Sequence, residues 1–235
     1  MSASHNLLFA SPPVATVPVL GEDKLFPVNR IFCVGRNYVE HAKEMGGEVD
    51  REAPFYFMKF ANAIVPTGAT IPYPPGTKNC HYEMEFVVAI GAPAFRIAAK
   101  DALSIVYGYA TGLDMTRRDL QAQAKEKGRP WDLAKSFEQS AIISTITRAA
   151  DFGAIGDQRI CMQQNGVMKQ DARLSDMVWA VPDIIDHLSR YYHLAAGDLI
   201  YTGTPAGVGA VQPGDTLLGE IDGLSSIKVT FSAAE

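Results

Sequence analysis

His81-Tyr82-Glu83-Met84-Glu85 runs without a break into Phe86-Val87-Val88-Ala89-Ile90. An apolar run of that length, closed by Gly91, reads as a buried strand from Glu83 to Ile90. A chain that carries it has to build a β core around it. Side chains at i and i+2 of a strand share a face, so Glu83 and Glu85 project together where that core begins. Two such carboxylates repel each other unless a metal ion, a pair of Lys or Arg side chains, or open solvent relieves them, and the spacing alone leaves all three open. His81 shares the face, but a site made of oxygen donors favours oxygen, so His81 reads as a hydrogen-bonding neighbour.

Similar short runs recur along the chain, punctuated by Gly and Pro. Ile31–Gly35, Phe55–Lys59, Ala63–Val65, Val106–Leu113, Leu199–Thr202, Thr216–Ile221 and Ser226–Phe231 read as strands. Asn37 is a candidate N-cap for a helix over Tyr38–Met45, with Gly46-Gly47 as its stop. A helical turn is expected at Asp101–Ser104, and helices over Thr116–Lys127 and Val181–Tyr192. Strands dominate and do not alternate regularly with helices, which points to a mixed α+β, β-rich architecture and away from a doubly wound sheet. Residues 1–28, rich in proline, read as a short N-terminal arm or hairpin on a main domain of residues 29–235.

A net charge of -5 with no basic stretch argues against nucleic acid as a partner. No apolar run reaches the roughly 20 residues a membrane helix needs, and the N-terminus lacks a signal-peptide pattern, so the chain reads as cytoplasmic. Cys33, Cys80 and Cys161 form no metal or disulfide pattern and read as inert core thiols. His5, His187 and His193 belong to no motif and read as structural or exposed.

Asp114 closes the strand that ends Gly112-Leu113, just before a predicted helix. An acid there is either a helix cap or a ligand delivered by a strand end. Were it to join Glu83 and Glu85, the set would be all oxygen, suited to Mg2+, Mn2+ or Ca2+. On the Asn37–Met45 helix, His41 and Glu44 lie at i and i+3 and can hydrogen-bond, as an exposed surface pair would.

The segments 35–45 (GRNYVEHAKEM), 81–85 (HYEME), 112–121 (GLDMTRRDLQ), 129–137 (RPWDLAKSF) and 201–209 (YTGTPAGVG) resemble the fumarylacetoacetate hydrolase family, most closely its acylpyruvate hydrolase members. The resemblance covers residues 28–231 and implies that family's β-sandwich roll with few helices. It implies that Glu83, Glu85 and Asp114 hold a divalent cation, with Mg2+ the first expectation. It implies a catalytic His41–Glu44 dyad on a lid hinged at Gly46-Gly47, an active-site Lys135, and Arg36, Lys59, Arg118, Gln121 and Thr204 as substrate-binding groups. Lys59 precedes Phe60 where relatives often have proline, which unsettles its place. Tyr38, Trp131 and residues 171–180 are the candidate pocket rim. The resemblance also implies a homodimer.

The implied reaction is hydrolysis of a carbon–carbon bond in a small anionic dicarbonyl substrate, a 2,4-dioxo acid. His41 would act as base, Glu44 would hold its tautomer, and Lys135, with Gln121 and Arg118, would face the developing oxyanion. Oxaloacetate decarboxylation or another oxo-acid lyase or isomerase reaction would suit the same site. A silent metal- or ligand-binding protein would have no use for the dyad.

Overall fold

The computed structural model describes residues 7–47 and 49–235; His5 and residues 1–6 of the expected arm lie outside the described residues. Met84–Ile90 sits inside an eight-stranded sheet, flanked antiparallel by Leu199–Tyr201 and Val106–Asp114. The sheet continues from Leu199–Tyr201 to Ile31–Gly35 and Phe55–Lys59, and from Val106–Asp114 to Ala141–Ile143 and Ile64–Pro66. All seven residues of Met84–Ile90 are buried, as an apolar strand with neighbours on both sides and cover on both faces must be. The expected β-rich α+β architecture is what the chain adopts.

The faces of that strand have different partners. Met84, Phe86, Val88 and Ile90 enter a core shared with a five-stranded sheet (Val167–Arg173, Arg159–Gln164, Thr216–Ile221, Ile227–Ser232, Thr70–Pro72) and with helix Val181–Ser189. Phe86 stacks on Tyr109 there at 5.0 Å between ring centroids. Val87 and Ala89 enter a second core with Ala110, Tyr201 and Ala141, which Val17, Val19, Phe26 and Val28 of the N-terminal segment cover. Within that segment Thr16–Val17 pairs antiparallel with Phe26–Pro27.

Several expected boundaries shift for physical reasons. Thr116-Arg117 are not helical; they pair with Cys80–Tyr82 in a three-stranded sheet, and the helix runs over Arg118–Glu126. Asn37 does not cap the helix Val39–Glu44. Its amide donates to the carbonyls of Trp179 (3.0 Å) and Thr202 (2.8 Å) and accepts from the Trp179 N–H (2.7 Å), tying three segments together. The third predicted helix stops at Ser189, and the turn near residue 101 is a 3-10 helix over Ala99–Ile105. The hairpin of Arg159–Gln164 and Val167–Arg173 is missing from the strands expected above. Its turn is Asn165-Gly166, both with positive φ (53° and 78°), the pairing that two-residue hairpins favour. Among the described residues no helix is long and apolar enough to cross a membrane.

Candidate active site

The carboxylates meet because of strand register. Glu85 lies opposite Gly112, and the Asp114 N–H donates to the Glu83 carbonyl at 2.9 Å, so Asp114 faces Glu83. Alternation then puts all three acids on one side of the sheet. Each offers a carboxylate oxygen within 4.8 Å of the others, and all three are buried. Gly112, opposite Glu85, lets the core side chains beneath the site pack closely; a Cβ there would stand 2.5 Å from Val87 Cγ2 and 2.7 Å from Tyr201 Cε1.

Cations are shared unequally among them. Glu83 receives Arg118 (2.6 Å) and Lys135 (2.7 Å), while Asp114 has Lys135 (2.7 Å) and Lys59 (2.8 Å). For Glu83, burial pushes the carboxyl up, but Lys135, Arg118 and His41 outweigh it and hold it well below the usual range. Glu85 is 1% exposed and accepts one hydrogen bond, from the Gly203 N–H at 2.8 Å. Burial, then the Asp114 and Glu83 charges, push its carboxyl well above the usual range. Among the described residues no basic group pairs with Glu85. A close set of oxygen donors with one member lacking a counter-charge fits a hard divalent cation better than a salt bridge or solvent. Glu83, Glu85 and Asp114 would be its ligands.

Lys135, at the end of helix Asp132–Lys135, aims its ammonium at Glu83 Oε2, Asp114 Oδ2 and Thr116 Oγ1, each at 2.7 Å. All three of its protons are thus engaged. Arg118 donates to Gln121 Oε1 at 2.7 Å, one helical turn on. That bond fixes the orientation of the Gln121 amide, whose NH2 group remains available to the cleft.

His41 forms one wall of the cleft with Arg36, Met45, Phe57, Lys125, Trp131 and Thr204 around Glu83 and Glu85. Its Nδ1 lies 3.3 Å from Glu44 Oε2, which leaves Nε2 as the nitrogen free to handle a proton. Both Glu44 oxygens also accept the Gly207 N–H at 3.2 Å, coupling the helix to the loop after Tyr201. Burial lowers the His41 pKa, and Glu83 and Glu44 counter it only in part.

Other expected residues are placed differently. Lys59 does not line the cleft. Its ammonium is buried behind Asp114 and donates to the carbonyls of Met115 and Lys135, as a fixed counter-charge. His81 is not in the carboxylate cluster: it lies on Cys80–Tyr82, in a different sheet from Met84–Ile90, and its Nε2 pairs with Asn79 Oδ1 at 2.9 Å. Burial and Arg118 lower its pKa to about 4. Tyr38 is buried, whereas Trp131 and Trp179 wall an adjoining cleft. His187 lies against Tyr56 and His193 stacks on Phe95. Gln170 was not singled out above. Fully buried on the hairpin that was also missed, it accepts from the Met84 N–H (3.0 Å) and donates to Thr204 Oγ1 (2.9 Å) and the Pro205 carbonyl (2.8 Å). Thr204 therefore has its hydroxyl proton free.

The family model for the fumarylacetoacetate (FAA) hydrolase C-terminal region matches residues 30–232. Fumarylpyruvate hydrolase of a Ralstonia species is 49% identical over 194 residues, covering 81% of this chain and 100% of that protein. The mitochondrial oxaloacetate tautomerase FAHD1 of Rattus norvegicus is 40% identical over 198 residues, 84% of this chain and 89% of that one. The crystal structure of fumarylpyruvate hydrolase from Pseudomonas aeruginosa in complex with Mn2+ and pyruvate superposes with a TM-score of 0.94 at 44% identity, over 97% of this chain and 100% of that chain. A match across nearly the whole length, joined to three buried acids clustered on one sheet face, leads to one conclusion: the chain belongs to the fumarylacetoacetate hydrolase family.

Proposed function

We propose that this protein is a divalent-metal-dependent hydrolase of 2,4-dioxo acids that cleaves fumarylpyruvate to fumarate and pyruvate. The observation that carries the reading is that His41, paired with Glu44, lines the same cleft as Glu83 and Glu85, two of the three clustered carboxylates. The Ralstonia relative bears the name of this activity, and the Pseudomonas aeruginosa enzyme was crystallised with pyruvate. Mg2+ or Mn2+ suits three carboxylates with positions left for substrate oxygens. The reading also takes the enzyme to be cytoplasmic and, as the resemblance implies, a homodimer.

When bound, the cation supplies Lewis-acid stabilisation of charge on the departing pyruvate. The side chains do the rest. His41 Nε2 removes a proton from water, and the hydroxide adds to C4 of the substrate. The Gln121 NH2 group donates to the oxyanion that forms at C4. In this reading Lys135 holds Glu83 and Asp114 at a fixed separation, and the Thr204 hydroxyl donates to the substrate carboxylate. The C3–C4 bond breaks, its electron pair stays with the pyruvate half, and C3 takes up a proton.

Gln121→Leu is expected to lower kcat by roughly 10²–10³-fold, the usual loss for one oxyanion donor, with little change in KM. Steady-state kinetics on fumarylpyruvate decide this: a raised KM at constant kcat would reassign Gln121 to ground-state binding.

The Rattus norvegicus relative favours one alternative, isomerase chemistry on oxaloacetate. Ultraviolet loss of fumarylpyruvate, with Mg2+ or Mn2+ and then with EDTA, tests the main reading. Oxaloacetate is followed in parallel for keto–enol conversion and pyruvate release. Metal-dependent formation of equimolar fumarate and pyruvate supports the hydrolase. Inertness toward fumarylpyruvate with fast turnover of oxaloacetate transfers the site to the alternative.

A further inference from the structure

Outward from the carboxylates the cleft becomes cationic and aromatic. Arg36 follows strand Ile31–Gly35, Lys125 lies in the last turn of helix Arg118–Glu126, and both line the cleft together with Trp131. Lys125 Nζ is 5.1 Å from the Trp131 ring centroid, within cation–π range. Burial, then the guanidinium groups of Arg36 and Arg118, lower the Lys125 pKa, so these like charges are close enough to feel one another. Arg118 and Lys135 deeper in the cleft are neutralised by Glu83 and Asp114. Among the described residues the side chains of Arg36 and Lys125 form no ion pair or hydrogen bond. Like charges gathered at a cleft mouth raise the local concentration of anions.

Arg36 also has φ of 56°, a left-handed conformation that costs a non-glycine residue free energy and is kept where the surroundings impose it. That turn brings Arg36 to the boundary of a second cleft, joined to the first through Gly35, Arg36 and Trp131. Phe55, Trp131 and Trp179 wall it. Phe55 meets Trp131 edge-on at 5.0 Å, and the Trp179 indole N–H is held by the Asp50 carbonyl at 3.0 Å. Asp50 is the acid on this wall, and its Oδ1 is already occupied by the N–H groups of Glu52 and Ala53.

We propose that Arg36 and Lys125 form a subsite for a second carboxylate at the far end of the substrate, with Trp131 against the flat chain between the two ends. The inference rests on the reading of the cleft as that of a 2,4-dioxo acid hydrolase. It narrows the substrate class to acylpyruvates whose acyl group is itself a conjugated acid, and it ranks neutral acylpyruvates as poor substrates.

The test compares kcat/KM for fumarylpyruvate, which carries the second carboxylate, and acetylpyruvate, which does not. Wild type, Lys125→Met, Lys125→Arg and Arg36→Met are assayed with Mn2+. In Lys125→Met the fumarylpyruvate-to-acetylpyruvate ratio is expected to fall roughly ten- to hundredfold, mainly through KM, as the loss of a charge-assisted contact does. Lys125→Arg should recover most of the ratio, and Arg36→Met should lower it as Lys125→Met does. A ratio that stays the same in both methionine variants overturns the proposal, as does a parallel loss on both substrates. If wild type hydrolyses neither compound, the hydrolase reading fails and calorimetric binding of fumarate against crotonate judges the subsite. Tighter fumarate binding that Lys125→Met abolishes supports it, and equal binding of the two acids to wild type overturns it.

Discussion

Glu85→Gln is expected to abolish metal-dependent turnover while leaving the metal-free protein at least as stable as wild type. Glutamine is nearly isosteric, and its carbonyl can still accept the Gly203 N–H that Glu85 accepts at 2.8 Å. The negative charge is what it removes. Glu83 and Asp114 each retain two cationic partners in the variant, so the site loses the one carboxylate whose charge is left for a bound cation. Loss of a Lewis acid worth several kcal/mol lowers kcat/KM by roughly 10³-fold or more.

Stability moves the other way in the absence of metal. The Glu85 carboxyl is pushed above its ordinary value by burial and by its acidic neighbours. An acid with a raised folded-state pKa binds more protons folded than unfolded, so its contribution to stability falls as pH rises through and above the ordinary carboxylate range. The Gln variant lacks that penalty, and its advantage over EDTA-treated wild type should grow over the same pH window. Thermal unfolding with EDTA and with Mn2+ checks both parts. Wild type should gain melting temperature from Mn2+ and the variant should not. A variant that loses stability with EDTA, or still gains it from Mn2+, would sink this account of Glu85.

Local periodicity made part of this site legible. Glu83 and Glu85 share a face because strands repeat every two residues, and the apolar run behind them announced a buried strand. Asp114 carried only the ambiguity of an acid between a strand and a helix; the pairing that sets it beside Glu83 is a long-range fact of sheet register. Lys59 illustrates the limit more sharply. A lysine that binds substrate and a lysine that neutralises a ligand from behind look alike in sequence, and burial decides between them. Gln170 gave no signal at all, although Asn165-Gly166 marks the hairpin that carries it. Its value comes from three bonds to segments distant in the chain. Asn37 gave the wrong signal for the same reason: tertiary partners at Trp179 and Thr202 claim an amide that local propensity would assign to a helix cap.

His41→Ala should lower kcat by roughly 10²–10⁴-fold, the range that general-base catalysis supplies, and should remove the acid limb of the pH–rate profile. The limb belongs to the protonation of His41 in the free enzyme. Burial disfavours the imidazolium, so that limb should lie below the ordinary histidine pKa. The base is neutral above its pKa, so the wild-type enzyme should hold its kcat/KM down through pH 6.5 and lose it only at more acid values. Glu44 works against burial by favouring the protonated ring through its 3.3 Å contact. Glu44→Gln should therefore move the limb further toward acid while lowering kcat, because the tautomer is held less firmly by a neutral amide. Profiles of kcat/KM for the three proteins, recorded at saturating Mn2+, separate this role from a packing role. A packing role would lower the rate without moving the limb in Glu44→Gln, and an intact acid limb in His41→Ala would place the base elsewhere in the cleft.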